Sequence, residues 1–305
     1  MPADRPLFGI ALVTISVLFF AVADVQTKHL AMAHPVPVVV AVRYLASLAL
    51  LLVLAGPRIG ARLWRTDRTG LVLPRGGVLT LASLTIGYAL KLMPVGETIS
   101  IMYLSPIAVM LLAIPILGER VSAAGWALAM LGFIGVLLIL RPGAGLNPAG
   151  GAFALTNAAC ATVYHLMTRM LSRTETAMAM LFQVTLTGAV FFSLAAIPSL
   201  SGPLPGLGDL SLMALLGVLA TAGHFLFTLA YRQAPASLIA PVNYMHLVWA
   251  GLLGWLVFDH LPDGISLIGM GLVLISGVAI ALRSHMDGRR KRAARADALP
   301  DTPGA

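Results

Sequence analysis

Charged and hydrogen-bonding side chains set inside apolar runs are the residues of this chain best equipped to handle a polar solute. Asp24 and Lys28 lie one helical turn apart in one run, Arg43 stands in the next, and His165, Gln183, His224 and His246 stand in later ones. A charge at the centre of a lipid-embedded helix costs about 2.5 to 3.5 kcal/mol on insertion scales, so each should be paired or functional. Asp24 falls about six residues from the outer end of its run and Arg43 about eight from the outer end of the next, a depth difference of roughly 3 Å. That predicts an ion pair between them, with Lys28 as a second partner on the face of Asp24. Lys91 and Glu97, at the outer ends of two further runs, extend the set into a candidate gate. The competing reading is a fixed salt bridge tying the first two helices together.

His165 and Gln183 occupy the mirror positions in the second half, where a neutral polar pair is cheaper to break than an ion pair. Histidine also changes charge within the physiological range. His224 and His246 fall near the centres of their runs. Phe20, Tyr88, Tyr103, Asn157, Tyr164, Asn243 and Tyr244 complete the candidate binding site: rings stack on a ligand while hydroxyls and amides fix its orientation. Packing is the alternative for each ring. It fits the asparagines less well, because an amide facing lipid leaves its donors and acceptors unpaired. Pro106 and Pro241 each deprive a carbonyl one turn back, on Met102 and Ser237, of its usual donor, which exposes backbone oxygen or lets the helix bend.

Catalytic and metal chemistry have little to rest on. The single cysteine, Cys160, forms no internal disulfide, no Cys or His cluster has zinc spacing, and neither metal nor cofactor is expected. No HExxH or GxSxG occurs, and Cys160 and His165 lie about 140° apart around a helix, so no local nucleophile and base pair forms. The chain is therefore read as not an enzyme; an intramembrane enzyme or a small-molecule sensor is the alternative of another class.

The elements that must position these groups follow from composition. Of 305 residues, 59% are hydrophobic and 10% charged, against about 45 to 50% and 25% in soluble domains, which excludes an ordinary soluble enzyme. The net charge of +8 punctuates apolar runs instead of forming one basic face, so no nucleic acid partner is expected. Ten runs are long enough to cross a bilayer: 7–30, 36–55, 72–92, 95–117, 122–140, 149–171, 176–197, 210–232, 236–258 and 264–283. They lack the period-two alternation of a membrane barrel. The fold class is an all-α polytopic membrane protein.

Alternating the ends of ten spans places sixteen Lys and Arg on one side, among them Arg58, Arg62, Arg65, Arg68, Arg75, Arg120, Arg169 and the group from Arg283 to Arg295. Only Lys28, Lys91 and Arg141 fall on the other. Both termini are thus expected in the cytoplasm. Ala21-Val22-Ala23 imitates a signal-peptide cleavage pattern, but the run continues through Asp24 and Lys28 and is read as a span. Residues 285–305 are read as a basic, disordered cytoplasmic tail.

The halves repeat. A shift of 141 sets Asp24, Thr27, Lys28 and Leu30 on His165, Thr168, Arg169 and Leu171; a shift of 140 sets Arg43 on Gln183, Lys91 on Tyr231 and Glu119 on Asp259. Five crossings per copy invert the second, giving two inverted five-helix repeats at 1–143 and 144–284 with a solute site at their interface.

With Tyr103-Leu104-Ser105-Pro106, then Leu117-Gly118-Glu119-Arg120, a Gly-rich fifth helix with Gly132 and Gly135, and Arg43-Tyr44 in the second, the chain resembles the ten-helix EamA-type branch of the drug/metabolite transporter superfamily. The resemblance covers residues 7–283. It implies a central cavity lined by spans 1, 3, 4, 6, 8 and 9. It also implies export or exchange of a small organic metabolite across a bacterial inner membrane by alternating access. Helix nine carries His246 where the repeat and the family commonly have proline. The leading substrate reading is an amino acid or related amphipathic compound; the alternative is uptake of a cofactor or nucleotide-type metabolite. Expected partners are that metabolite and the lipid bilayer, with a homodimer as an option through the small-residue face of Gly125, Ala129 and Gly132.

Overall fold

The computed structural model describes residues 5–93, 95–119, 121–140, 147–202, 204–258 and 264–297. In chain order the helices are α1 (Pro6–Ala33), α2 (Val36–Leu54), the short α3 (Gly56–Ile59), α4 (Thr69–Leu92), α5 (Val95–Met102), α6 (Leu104–Leu117) and α7 (Ala123–Leu140). The second half adds α8 (Pro148–Leu171), α9 (Ala177–Ala196), α10 (Leu207–Gln233), α11 (Ala236–Val242), α12 (Met245–Phe258) and α13 (Gly264–Asp297). Among the described residues there is no strand. Five stretches, α1, α2, α4, Ala177–Ser199 and α10, are long and apolar enough to cross a membrane, while Leu104–Leu117, Ala123–Leu138 and Leu267–Ile280 are shorter apolar helices. Apolar side chains cover the outside as well as the core: Val53, Val190, Leu194 and Ile268 are exposed while Val13, Leu63 and Phe192 are fully buried. Helices apolar all round belong in lipid; the protein is an all-α polytopic membrane protein.

Helix ends follow local chemistry. Pro35 forces His34 into extended backbone and separates α1 from α2. Gly118, at φ +64°, closes α6 in the left-handed region that glycine enters without strain. The side chains of Asn147 and Thr176 accept from Gly150 N and Ala179 N, capping α8 and α9.

The two halves interlock through equivalent contacts. Helix α1 lies along α10 and α4 along α8, and exchanging the halves turns one pair into the other. Ser16 on α1 donates to the Gly223 carbonyl on α10 at 2.7 Å. Asn157 on α8 donates to the Ala82 carbonyl on α4, also at 2.7 Å. Both donor and acceptor of the second bond are related to those of the first by 141 residues. The fourth and ninth apolar runs each break, α5 into α6 at Tyr103 and α11 into α12 at Asn243 and Tyr244, positions 140 residues apart. Across the second break the bonds tighten to the three-residue spacing, Asn243 N to Ala240 O, Tyr244 N to Pro241 O and His246 N to Asn243 O.

One expectation changes. The chain beyond 284, expected to be disordered, continues α13 to Asp297; its Arg, Lys and Ala residues are strong helix formers. Part of the glycine surface of α7 packs within the chain. A Cβ on Gly132 would stand 2.7 Å from the Tyr244 ring, and one on Gly135 would stand 2.6 Å from the Gly269 carbonyl, so these glycines admit α12 and α13.

Candidate functional site

Helices α1, α2, α4, α8 and α10 and the two broken runs enclose a central cavity of about 220 Å³. That is more than tenfold the roughly 10 to 15 Å³ required by one water, so it has room for more than a single water. Phe20, Asp24, Arg43, Tyr103, Asn157, Tyr164, His165, His224, Asn243 and His246 all line it. The breaks explain part of this convergence. Tyr103 sits at the junction of α5 and α6 and Asn243 at that of α11 and α12, where the chain changes direction beside the cavity. Several polar atoms in the wall lack a hydrogen-bond partner: Tyr103 OH, Asn157 Oδ1, His165 Nδ1 and Arg43 Nε. Buried polar groups are normally paired, which sets these atoms apart from the rest of the interior.

The charges pair differently from the expectation. Asp24 Oδ2 lies 3.0 Å from His246 Nε2, not beside Arg43. The approach is off-axis for a hydrogen bond, and it becomes an ion pair when the imidazole carries a proton. Arg43 instead gives Nη2 to Ser83 Oγ at 3.2 Å and lies 4.6 Å over the Tyr44 ring. Equal depth placed Asp24 and Arg43 side by side; rotation about the helix axes, which depth does not fix, separates them.

A second centre was not expected. Arg75, counted among the flanking basic residues, is fully buried on α4. Its Nε donates to Thr168 Oγ1 at 2.9 Å, Nη1 to the Met180 carbonyl at 3.2 Å and Nη2 to Tyr164 OH at 2.9 Å, with the guanidinium 4.4 Å over the Tyr164 ring. The Tyr164 oxygen accepts from arginine and lies within hydrogen-bond distance of His224 Nδ1, 3.3 Å away. Only the position of Arg75 beyond the start of an apolar run hinted at burial. Ser83 and Phe227 also line the cavity and were not singled out from sequence.

Polar contacts join the helices at both ends of the molecule. At the end bearing the basic 56–71 connection, Glu119 accepts from Ala236 N, Ser237 N and Ser237 Oγ at 3.0, 2.9 and 2.7 Å, which caps α11. Arg169 Nε stands 3.4 Å from the same carboxylate, and its Nη1 donates to the Tyr231 carbonyl at 2.7 Å. Glu175 accepts from Asp67 N and Arg68 N at that end. At the opposite end His34 Nε2 lies 2.8 Å from Asp209 Oδ2.

Other sequence candidates lie away from the cavity. Tyr88 stacks on Phe153 at 5.5 Å. Tyr244 is buried against Tyr103 and the Gly132 face. Gln183 donates to the Trp64 carbonyl, in the connection after α3. Lys91 is exposed, and Lys28 is half-buried outside the lining. The side chain of Glu97, and Asp259, the repeat counterpart of Glu119, lie outside the described residues. Cys160 is buried and is not part of the lining, and among the described residues no cluster suited to a metal occurs.

Comparison with known proteins places this arrangement in a family. The riboflavin transporter of Rhizobium johnstonii is 28% identical over 296 residues, spanning 95% of this chain and 96% of that one. The S-adenosylmethionine uptake transporter of Rickettsia bellii is 26% identical over 218 residues, spanning 70% and 73%. The pseudopaline exporter of Pseudomonas aeruginosa is 24% identical over 288 residues, spanning 92% and 98%. A solved crystal structure with 22% identity shares the fold, with a TM-score of 0.75 over 90% of this chain and 96% of its own. The model of the EamA-like transporter family matches residues 7–141 and again 148–282. With both halves matched, the chain belongs to the EamA-like transporter family and is a metabolite transporter of the drug/metabolite type.

Proposed function

We propose that the protein is an alternating-access carrier of a bacterial inner membrane, both termini cytoplasmic, that takes up a cofactor-type metabolite bearing a ring system. Its working units are two inverted repeats, 1–143 and 144–284, with the solute held between them. The observation that carries this reading is the cavity itself: it is walled by both halves, centred on the two helix breaks, and edged by polar atoms without partners. Phe20, Tyr103 and Tyr164 offer ring faces, and Asn157 and Asn243 offer amides to orient a heterocycle. The relatives named for riboflavin and S-adenosylmethionine favour this substrate class over a free amino acid. Opening toward the basic end requires release of Glu119 from α11 and Arg169; opening the other way requires the walls near Asp24 and His246 to part. The solute passes unchanged.

The test is counterflow in proteoliposomes of purified protein, with labelled riboflavin and S-adenosylmethionine against a panel of amino acids, with and without a pH gradient. Exchange of a ring-bearing cofactor above empty liposomes is the expected result. Exchange of amino acids alone would replace the cofactor reading, and exchange of nothing in the panel would remove it.

A further inference from the structure

We infer that Arg43 is an anion-binding centre in the cavity, and that the transported solute carries a carboxylate or phosphoryl group that docks on its guanidinium. The inference rests on the reading of this cavity as the solute site. Arg43 lines the cavity with one hydrogen bond to a neutral serine, one ring contact and a buried Nε without a partner. Among the described residues no carboxylate stands within ion-pair distance of it: Asp24 is turned to His246, Glu119 to Arg169 and Asp209 to His34. A half-buried guanidinium in a cavity wall without a carboxylate beside it has donors to spare, and its planar fork suits a carboxylate or phosphoryl group.

The surroundings add to the preference. Arg75, behind Tyr164, is a fully buried cation whose hydrogen-bond partners are all neutral. Its charge reaches the cavity through little screening. His224, whose Nδ1 lies 3.3 Å from Tyr164 OH, adds a polar ring to the same lining. The cavity lining thus holds one arginine without a counter-ion, backed by a second, while its single described carboxylate is already approached by His246. An anionic group supplies the missing charge; a neutral isostere does not.

Purified protein in nanodiscs separates these cases. Benzoate, phenyl phosphate and benzamide share a ring and differ in charge, so binding of each is titrated at constant ionic strength. Benzoate or phenyl phosphate should bind about tenfold tighter than benzamide, and whichever anion wins identifies the group. Arg43→Gln should erase that preference, and Arg43→Lys should keep part of it, because charge survives and the fork does not. Equal binding of anion and amide by the native protein, no binding of either anion, or a preference that survives Arg43→Gln would each overturn the inference. The native comparison decides the matter if Arg43→Gln fails to fold. Failure is also distinguishable from failure of the carrier reading. Counterflow without any anion preference leaves the carrier and removes the anion centre. Anion binding at Arg43 without flux of any solute does the reverse.

Discussion

Asp24 on α1 and His246 on α12 stand 3.0 Å apart in the cavity wall, a contact that joins the first half of the chain to the second beside the solute site. A double-mutant cycle of Asp24→Asn and His246→Gln, read as flux per folded molecule, should therefore show coupling, the double variant losing less than the sum of the two singles. Additive effects would mean the two side chains act independently.

Glu119 holds α11 in place by three hydrogen bonds and faces Arg169 at 3.4 Å, with both side chains nearly buried. Removing one partner of a buried pair leaves the other uncompensated, at a cost of about 3 to 5 kcal/mol. Glu119→Gln should accordingly lower the melting temperature and the flux sharply. Combining it with Arg169→Gln should cost less than the sum of the two singles, because neither charge is then left alone.

Close helix approach carries Arg43 into position. A Cβ on Gly217 of α10 would stand 2.4 Å from the Arg43 carbonyl and 2.9 Å from the Ala46 Cβ, while Ser47 Oγ donates to the Gly217 carbonyl at 2.9 Å. Gly217→Ala must push α2 away, and overpacking of this kind costs about 1 to 3 kcal/mol. Gly271→Ala on α13, where a Cβ would meet nothing within 4 Å, should leave the melting temperature near the native value. Equal stability of the two variants would show that α2 and α10 are not fixed by this contact.

Span positions were legible because ten apolar runs leave few other readings, and most of the cavity residues were legible because polar groups inside such runs are conspicuous. Azimuth was not. Tyr244 follows Asn243 by one residue, yet it packs toward α7 while Asn243 lines the cavity, and a step of one residue turns a helix face by about 100°. Gln183 was expected to pair with His165 as the mirror of Asp24 and Arg43, but it reaches out to the Trp64 carbonyl, a partner created by the fold of a connection. Arg75 escaped notice because a basic residue near the start of a run reads as a flank, and its burial depends on Tyr164, Thr168 and Met180 from two distant helices.

Orientation rests on the excess of Arg and Lys at one end, and cysteine labelling tests it. The sites must be exposed and tolerant: Gly60, at φ +58°, resists any side chain, whereas Arg62 beside it is exposed, as is Leu207 at the start of α10. In a Cys160→Ala background, Arg62→Cys should resist an impermeant thiol reagent added to intact cells and react after the membrane is opened. Leu207→Cys should react from outside in both conditions. The structure links the accessibility of further sites to these two: Glu175 binds Asp67 N and Arg68 N at the Arg62 end, and Asp209 meets His34 at the Leu207 end. Cysteines at exposed positions beside Glu175 and His34 should follow Arg62→Cys and Leu207→Cys respectively. Labelling of Arg62→Cys from outside intact cells would reverse the orientation, and with it the end of the carrier at which Glu119 must let go.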